Sequence, residues 1–246
     1  MEKIEGRNPV IEALKAGTRK IEKIHILDSA HGDSIDKIYS LAKERNVSIK
    51  TVDKSDLDYE ADSYAHQGVI AWGRKLHYWD LDRLINHAKK ESEEPLLVIL
   101  DELKDPHNLG SILRTVDAAG AQGVIIPKRR AVGFSPVVAK ASAGAVEYVP
   151  VTQVTNLART IEKLKEEGFW VGGADIDTKQ SCYQANLNGA LALVIGSEGS
   201  GIRRLVKEKC DFLVKLPMQG HVDSLNASVA AGILIYEALR QRLRRG

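Results

Sequence analysis

The sequence predicts an α/β protein whose larger part is a mainly parallel sheet covered by helices on both sides. After Pro95, short apolar runs of strand length alternate with helical patterns. Several of these runs are apolar on both faces, as expected for strands buried between two layers of helices. A smaller α/β unit precedes them. We therefore expect two domains, at residues 1–75 and 95–246, joined by a linker at 76–94.

The N-terminal domain is expected to begin with a helix. Asn8 and Pro9 indicate its start, with Asn8 as the N-cap, and Gly17 indicates its end. Ile24 and Ile26 then alternate with polar residues, which is typical of a half-buried strand. The later elements expected are a helix through Ile35, Ile38, Leu41 and Ala42, and strands at 47–52 and 68–72.

Further patterns of apolar residues predict the elements of the linker and the C-terminal domain. The linker is expected to hold one short amphipathic helix through Leu81, Leu84, Ile85 and Ala88. In the C-terminal domain we expect strands at 96–100, 123–126, 169–172, 191–195 and 212–216, and helices at 109–119, 137–143, 157–167, 202–209 and 225–244.

The composition is that of an ordinary globular protein. Of 246 residues, 43% are hydrophobic and 28% are charged. The N-terminus lacks the apolar stretch of a signal peptide, and the longest apolar runs are too short to span a bilayer. Two distant cysteines and scattered histidines indicate neither a disulfide framework nor a metal site. We therefore expect a cytoplasmic protein with no metal and no membrane partner.

Basic residues are clustered although the net charge is only +2. Such clusters can neutralise the phosphates of a nucleic acid, but solvated helix ends and loops show the same pattern. Composition alone therefore leaves RNA binding open. The clusters are Lys128–Arg130, then Arg203, Arg204, Lys207 and Lys209, and finally Arg240, Arg242, Arg244 and Arg245.

Three segments of the C-terminal domain place glycines and polar residues just after predicted strands, at 100–115, 194–202 and 216–230. Ligands bind at the carboxyl ends of strands in open α/β sheets. The glycines at 196–201 have the spacing G-x-x-G-x-G, which differs from the dinucleotide pattern G-x-G-x-x-G. That stretch alone is equally compatible with a binding loop and with a tight structural turn.

Together, these segments carry a specific resemblance. Asn108-Leu109-Gly110-Ser111-Ile112-Leu113-Arg114, Gly196-Ser197-Glu198-Gly199-Ser200-Gly201 and the run Leu-Pro-Met-Gln-Gly-His-Val-Asp-Ser-Leu-Asn at 216–226 resemble the signature motifs of the SpoU (TrmH-type) RNA methyltransferases of the SPOUT superfamily. Residues 4–14 and 66–69 resemble the accessory RNA-binding domain of the 23S rRNA guanosine-2′-O-methyltransferases, which is similar to ribosomal proteins.

The resemblance implies a C-terminal SPOUT-type α/β-knot, in which the chain forms a trefoil knot, and a homodimer that uses S-adenosyl-L-methionine. The catalytic residues implied are Asn108, Arg114, Glu198, Ser224 and Asn226. The implied cofactor-binding residues are Ile195, Gly196, Glu198, Gly201, Leu216, Met218, Ser224 and Leu225. Candidate RNA-binding residues are Arg7, Asn8, Arg74, Lys128, Arg129 and Arg130.

Each of these residues also has an ordinary structural explanation. Arg114 would stabilise negative charge on the reacting hydroxyl, or would simply pair with Asp117 on the helix surface. Asn108 has the position of a helix N-cap, as do Ser224 and Asn226. Glu198 would balance the positive charge of the cofactor or fix the neighbouring loop.

We expect the protein to methylate the ribose 2′-hydroxyl of a guanosine in 23S rRNA. A tRNA guanosine-2′-O-methyltransferase would share the catalytic domain, but the separate N-terminal domain favours ribosomal RNA. An rRNA methyltransferase conferring antibiotic resistance shares both the domain plan and the chemistry. A non-catalytic RNA-binding or ribosome-assembly protein and a small-molecule methyltransferase are the remaining alternatives.

Overall fold

The computed structural model describes residues 1–62 and 66–244. Its strands are β1 (Glu2–Glu5), β2 (Ile21–Leu27), β3 (Ser48–Val52), β4 (Val69–Gly73), β5 (Leu96–Leu100), β6 (Gly123–Pro127), β7 (Val151–Val154), β8 (Trp170–Ala174), β9 (Leu191–Ile195) and β10 (Phe212–Val214). Its helices are α1 (Arg7–Ala16), α2 (Asp33–Glu44), α3 (Lys54–Glu60), α4 (Leu81–Glu91), α5 (Pro106–Ala118), α6 (Pro136–Ala141), α7 (Leu157–Glu166), α8 (Arg204–Lys207) and α9 (Ala227–Leu243). Within these described ranges, no helix is long and apolar enough to cross a membrane.

The chain divides into two compact units. The N-terminal unit contains residues 1–77 and 133–148, and the C-terminal unit contains residues 78–132 and 149–246. The sequence patterns gave a single boundary within 76–94 and no reason to separate 133–148 from its neighbours. That short segment is therefore a feature that only the structure reveals.

The N-terminal unit is built on a mixed four-stranded sheet in the order β1-β4-β2-β3. Ile4, Ile24 and Ile26 lie on these strands and pack with Val10 and Leu14 of α1. Each such side chain stabilises the fold by about 1.5–3 kcal/mol when fully buried. The charged strand β1 and the short helix α3 were not expected from the sequence, because neither has a clear apolar pattern.

Helix α1 begins two residues earlier than expected. Its N-cap is Gly6, with φ 101°, and Asn8 lies inside the first turn, so the assignment of Asn8 as the N-cap was wrong. The chain enters the helix through a conformation that suits glycine, and Gln67 Oε1 accepts the backbone N–H of Arg7 at 3.2 Å. The predicted end at Gly17 is confirmed.

Residues 133–148 are tied into the N-terminal unit by a buried ion pair. Glu147 accepts Arg19 Nε at 3.0 Å and also pairs with its terminal nitrogen, and both side chains are almost completely buried. Thr18 donates to the same carboxylate at 2.9 Å, while Tyr148 donates to Glu12 at 2.7 Å. A buried charge is tolerated when it is paired and hydrogen-bonded, and both conditions are met here.

The C-terminal unit contains a six-stranded sheet in the order β10-β8-β9-β5-β6-β7, and all its pairings are parallel. The expected parallel sheet is confirmed. The sequence patterns missed β7, a four-residue strand with polar residues at two positions. Leu84, Ile85 and Ala88 of α4 belong to the core of this unit, so the helix within the predicted linker is an integral part of it.

Candidate active site

The three motif segments emerge at one edge of the C-terminal sheet. Strands β5 and β9 are direct neighbours, and Leu100 lies opposite Ile195 at their carboxyl ends. Strand β10 runs parallel to them, two positions away from β9. Because parallel strands point the same way, the loops after β5, β9 and β10 all leave the sheet at this edge.

Glu198 joins the three segments. Its Oε1 accepts the side-chain amides of Asn108, at 2.9 Å, and Asn226, at 2.5 Å. One residue of each motif therefore meets at a single carboxylate oxygen. We call Asn108, Glu198 and Asn226 the carboxylate junction.

Two of the expected caps have different outcomes. Asn226 is the N-cap of α9, as expected, and its Oδ1 accepts the backbone N–H groups of Ser228 and Val229. Asn108 is not a cap, because α5 begins at Pro106 and the cap is Asp105, which accepts the backbone N–H of His107. The buried Asn108 side chain is therefore available for Glu198.

In the glycine loop after β9, the backbone of Gly201 passes very close to Gly196. A Cβ on Gly196 would lie 2.1 Å from the carbonyl carbon of Gly201, so only glycine fits there. Ser197 and Gly201 exchange backbone hydrogen bonds of 3.1 and 3.0 Å. Gly199 and Gly201 have positive φ, and a Cβ at either would meet nothing within 4 Å. The loop thus has open space beside Gly199 and Gly201, which leaves room for close approach by a nucleotide-like cofactor.

The remaining motif residues differ in their exposure. Ile195 is buried at the end of β9, whereas Leu216, Met218 and Leu225 are partly exposed in the segment after β10. Ser224 is exposed. Arg114 is exposed on α5, and within residues 1–62 and 66–244 its side chain forms no hydrogen bond or ion pair.

A buried carboxylate that the sequence patterns missed lies beside the glycine loop. Asp101 directly follows β5, and its side chain is completely buried. It pairs with Arg203, whose pKa is raised by the hydrogen bond to Asp101. Arg203 had been recognised only as part of a basic cluster. The one signal in the sequence was a carboxylate immediately after an apolar strand.

The candidate RNA-binding residues occupy both units. In the C-terminal unit, Lys128, Arg129 and Arg130 are exposed just after β6, and Arg130 lies 3.4 Å from Glu102. In the N-terminal unit, Arg74 is exposed. Residue Arg245 of the last basic cluster lies outside the described residues.

The N-terminal unit also has a shallow, open groove of mixed polarity. It is lined by Arg7, Asn8, Leu27, Ser29, Ala30, Ser34, Gln67 and Gly68. The Arg7 guanidinium is fixed at its wall, because Nε donates to the carbonyl of Gln67 and Nη1 to that of His31, both at 3.1 Å. Across the described ranges, no group of three His, Cys, Asp or Glu residues is arranged to hold a metal ion.

Comparisons with known families agree with this arrangement. Residues 95–236 match the SpoU rRNA Methylase family. Residues 3–79 match the RNA 2′-O ribose methyltransferase substrate binding domain. The first match covers more than half of the chain, and the chain therefore belongs to the SpoU rRNA methylase family.

Individual relatives extend the likeness to nearly the whole chain. A TrmH family tRNA/rRNA methyltransferase of Bacillus subtilis (strain 168), YacO, is 52% identical, over 96% of this chain and 94% of its own length. The SpoU methyltransferase AviRb of Streptomyces viridochromogenes, solved with AdoMet, is 26% identical with a TM-score of 0.80, covering 98% of this chain and 90% of its own. The TrmH/SpoU tRNA-modifying enzyme of A. aeolicus is 29% identical with a TM-score of 0.57, covering 68% of this chain and 84% of its own.

Proposed function

We propose that this protein transfers a methyl group from S-adenosyl-L-methionine to the ribose 2′-hydroxyl of a guanosine in 23S rRNA. The observation that carries the proposal is the carboxylate junction, where Asn108, Glu198 and Asn226 bring the three family motifs together beside an open glycine loop. A solved relative binds AdoMet. The family is one of RNA methyltransferases, and the chain carries a substrate-binding match as well.

The cofactor is proposed to bind along the glycine loop. Gly196 and Gly201 are proposed to leave room for the cofactor beside the backbone, and the partly exposed Leu216, Met218 and Leu225 offer apolar surface. Ile195, buried at the end of β9, is proposed to lie next to the cofactor. Bound S-adenosyl-L-methionine supplies an electrophilic methyl group on a positively charged sulfur. The Glu198 carboxylate contributes negative charge at this point, and the two amides hold it in one orientation.

Arg114 is proposed to act on the ribose hydroxyl. A guanidinium stays protonated in proteins, so its role is that of a fixed positive charge rather than of a base. Beside the hydroxyl or its phosphate, that charge lowers the hydroxyl pKa and stabilises the negative charge that develops during methyl transfer. Ser224, exposed in the third motif, is proposed to contact the same ribose.

Ribosomal RNA is favoured over tRNA by the N-terminal unit. The likeness to the tRNA-modifying enzyme leaves about a third of this chain uncovered, which is close to the share taken by the substrate-binding match. We propose that the uncovered third is this substrate-binding domain, which would select ribosomal RNA. A tRNA substrate is the second candidate, since the Bacillus subtilis relative is named for both kinds of RNA.

The RNA-binding residues are proposed to form two groups. Arg7 and Asn8 line the shallow groove of the N-terminal unit, where polar and apolar groups side by side suit an unpaired nucleotide. Lys128, Arg129 and Arg130 follow β6 at the same sheet edge as the carboxylate junction, where they would contact phosphates. Arg74 is an exposed cation that would add to phosphate binding by the N-terminal unit.

A homodimer is proposed because α9 has apolar side chains on its outer face. Val229, Tyr236 and Leu243 are spaced seven residues apart, so they form one stripe along the helix, and all three are exposed. The opposite face is buried through Ala231, Leu234, Ile235 and Ala238. A helix that is apolar on both faces is typically buried on both, and a second copy of the chain is proposed to cover the stripe.

The proposal is tested by transfer of radiolabelled methyl groups from S-adenosyl-L-methionine. Undermethylated 23S rRNA and bulk tRNA are offered separately, and nuclease digestion identifies the labelled nucleotide. We expect label in a 2′-O-methylguanosine of 23S rRNA alone. Label confined to tRNA would keep the chemistry and replace the substrate. If neither RNA is labelled while the cofactor binds, a role without catalysis on free RNA is indicated.

A further inference from the structure

One residue, Asp101, holds both ends of the glycine loop. Its backbone N–H donates to the carbonyl of Ile195 at 2.8 Å, where the loop begins. Its carboxylate receives Arg203, where the loop ends. Oδ2 accepts the Arg203 backbone N–H at 2.8 Å, while Oδ1 accepts Nε at 2.8 Å and Nη2 at 2.7 Å. Residues 196–202 are therefore closed into a ring by a single residue outside the loop.

The burial of Asp101 makes this closure firm. The carboxylate is fully buried while the Arg203 side chain is 43% exposed. A buried carboxylate without its partner strongly destabilises the fold. Separating Arg203 from Asp101 to open the loop therefore costs considerable free energy. The hydrogen bond to Asp101 also raises the pKa of Arg203, which keeps the guanidinium charged.

Glu102 is a second carboxylate that pairs with the Arg203 guanidinium. Its Oε1 lies 3.2 Å from Arg203 Nη1, so the guanidinium is shared between two consecutive carboxylates. Glu102 has φ 58°, a left-handed conformation that residues other than glycine rarely adopt. Backbone strain of this kind persists only where surrounding contacts enforce it, and it concentrates at functional sites.

We propose that Asp101 and Arg203 are positioning residues, which hold residues 196–202 in the conformation that accepts S-adenosyl-L-methionine. The role rests on the proposed function and acts through the loop. A loop released at one end populates other conformations, and the apparent dissociation constant of the cofactor rises in inverse proportion to the competent fraction. Once cofactor saturates the loop, catalysis proceeds from the same geometry as in the wild type.

Arg204 provides a matched control beside Arg203. It is 80% exposed, and among the residues that the structure describes its side chain pairs only with Glu208, one helical turn away. Arg203→Gln and Arg204→Gln therefore remove the same charge at adjacent positions, yet only the first releases the loop. Arg203→Lys keeps the charge and loses the fork of nitrogens that Asp101 and Glu102 share, and it is expected to have an intermediate effect.

The experiment measures binding of S-adenosyl-L-methionine to the full chain by calorimetry without RNA, followed by KM for the cofactor and kcat on the labelled RNA substrate. Arg203→Gln is expected to raise the dissociation constant and KM by about tenfold or more, with kcat at saturating cofactor within about threefold of wild type. Arg204→Gln is expected to match the wild type in all three quantities.

Several results would overturn the proposal. Unchanged cofactor affinity in Arg203→Gln, with only a lower melting temperature, would make the pair purely structural. A loss of kcat at constant affinity would make Arg203 a participant in the reaction itself. If Arg203→Gln does not fold, the cofactor affinities of Arg203→Lys and Glu102→Gln are measured instead. Wild-type affinity for S-adenosyl-L-methionine in both variants would contradict the positioning role. A wild-type chain that binds no S-adenosyl-L-methionine overturns the proposed function together with this inference.

Discussion

At the scale of single residues, Glu198 uses one oxygen for structure and keeps the other available. Oε1 accepts both junction amides, whereas Oε2 has no hydrogen bond within the described parts of the chain. The side-chain oxygen of Asn226 in turn accepts two backbone N–H groups at the N-terminus of α9. The carboxylate is thus oriented by groups that are themselves fixed, which is the arrangement expected of a site that binds a charged ligand.

Replacement of Arg114 tests the assignment of the reacting group. Arg114→Ala is expected to leave cofactor affinity unchanged and to lower kcat by roughly two to three decades, because a fixed charge that stabilises the transition state is lost. Calorimetry and methyl-transfer assays measure the two effects. Lys43→Ala, which removes an exposed cation from α2, is the control. Full turnover by Arg114→Ala would remove this residue from the catalytic set.

Gly196 offers a second test at this scale. A methyl group there would collide with the backbone of Gly201, so Gly196→Ala is expected to distort the loop and weaken cofactor binding by more than about tenfold. In Gly220→Ala the new methyl group meets nothing within 4 Å, and we expect wild-type affinity. Equal affinities in the two variants, measured by calorimetry, would contradict the close crossing of the loop.

At the scale of elements, α9 is anchored by a polar network in its C-terminal half. Glu237 is 5% exposed, and its carboxylate accepts Arg240 through two bonds of 2.7 Å and Gln241 through one of 2.8 Å. Gln241 also accepts the backbone N–H of Leu187 and donates to the carbonyl of Ala185. The helix that carries Asn226 is therefore fixed to the loop before β9.

This network predicts an acid-sensitive contribution to stability. The hydrogen bond from Arg240 lowers the pKa of Glu237 below its ordinary value of 4.5. The stabilisation is fully present above that value and is lost as the pH falls through the lowered pKa. Glu237→Gln is therefore expected to lose about 1–2 kcal/mol at pH 7, and the difference from wild type should shrink below about pH 4.5.

Urea unfolding at several pH values measures this difference. Glu166→Gln, at an exposed position of α7, is expected to stay within about 0.5 kcal/mol of wild type throughout. A difference between Glu237→Gln and wild type that does not change with pH would contradict the role of the charged carboxylate.

Elements with strong periodicity were predictable from the sequence, and those defined by distant partners were not. Strands β5 and β9 were placed at their observed bounds because apolar runs buried on both faces are distinctive. Strands β1 and β7 have four residues each and mixed polarity. Residues of the junction were found through the family motifs, whereas the pairing of Asp101 with Arg203 spans 102 positions and leaves no local pattern.

At the scale of the whole molecule, the exposed stripe of α9 bears on assembly. Tyr236 is 48% exposed at its centre. Tyr236→Glu places a charge within the proposed contact and is expected to convert the dimer to a monomer, because a desolvated, unpaired charge opposes association. Size-exclusion chromatography with light scattering measures the mass.

Tyr39→Glu is the matched control for this assembly test. Tyr39 lies on α2 of the N-terminal unit and is 43% exposed, so the same change is made at a similar depth on a different surface. We expect this variant to have the mass of a dimer, as proposed for the wild type. A monomeric wild type, or a dimeric Tyr236→Glu, would contradict the proposed contact.

The buried pairing of Arg19 with Glu147 has a consequence for synthesis on the ribosome. The two residues are 128 positions apart, so the strands and helices of residues 1–77 leave the exit tunnel well before the carboxylate does. At about 5–20 residues per second, the nascent N-terminal unit waits for several seconds with Arg19 paired to Glu2 but not yet to Glu147, whose buried carboxylate the finished fold adds at this site. The ion pair between Arg19 and Glu147 can therefore form only after the polypeptide has been translated through residue 148.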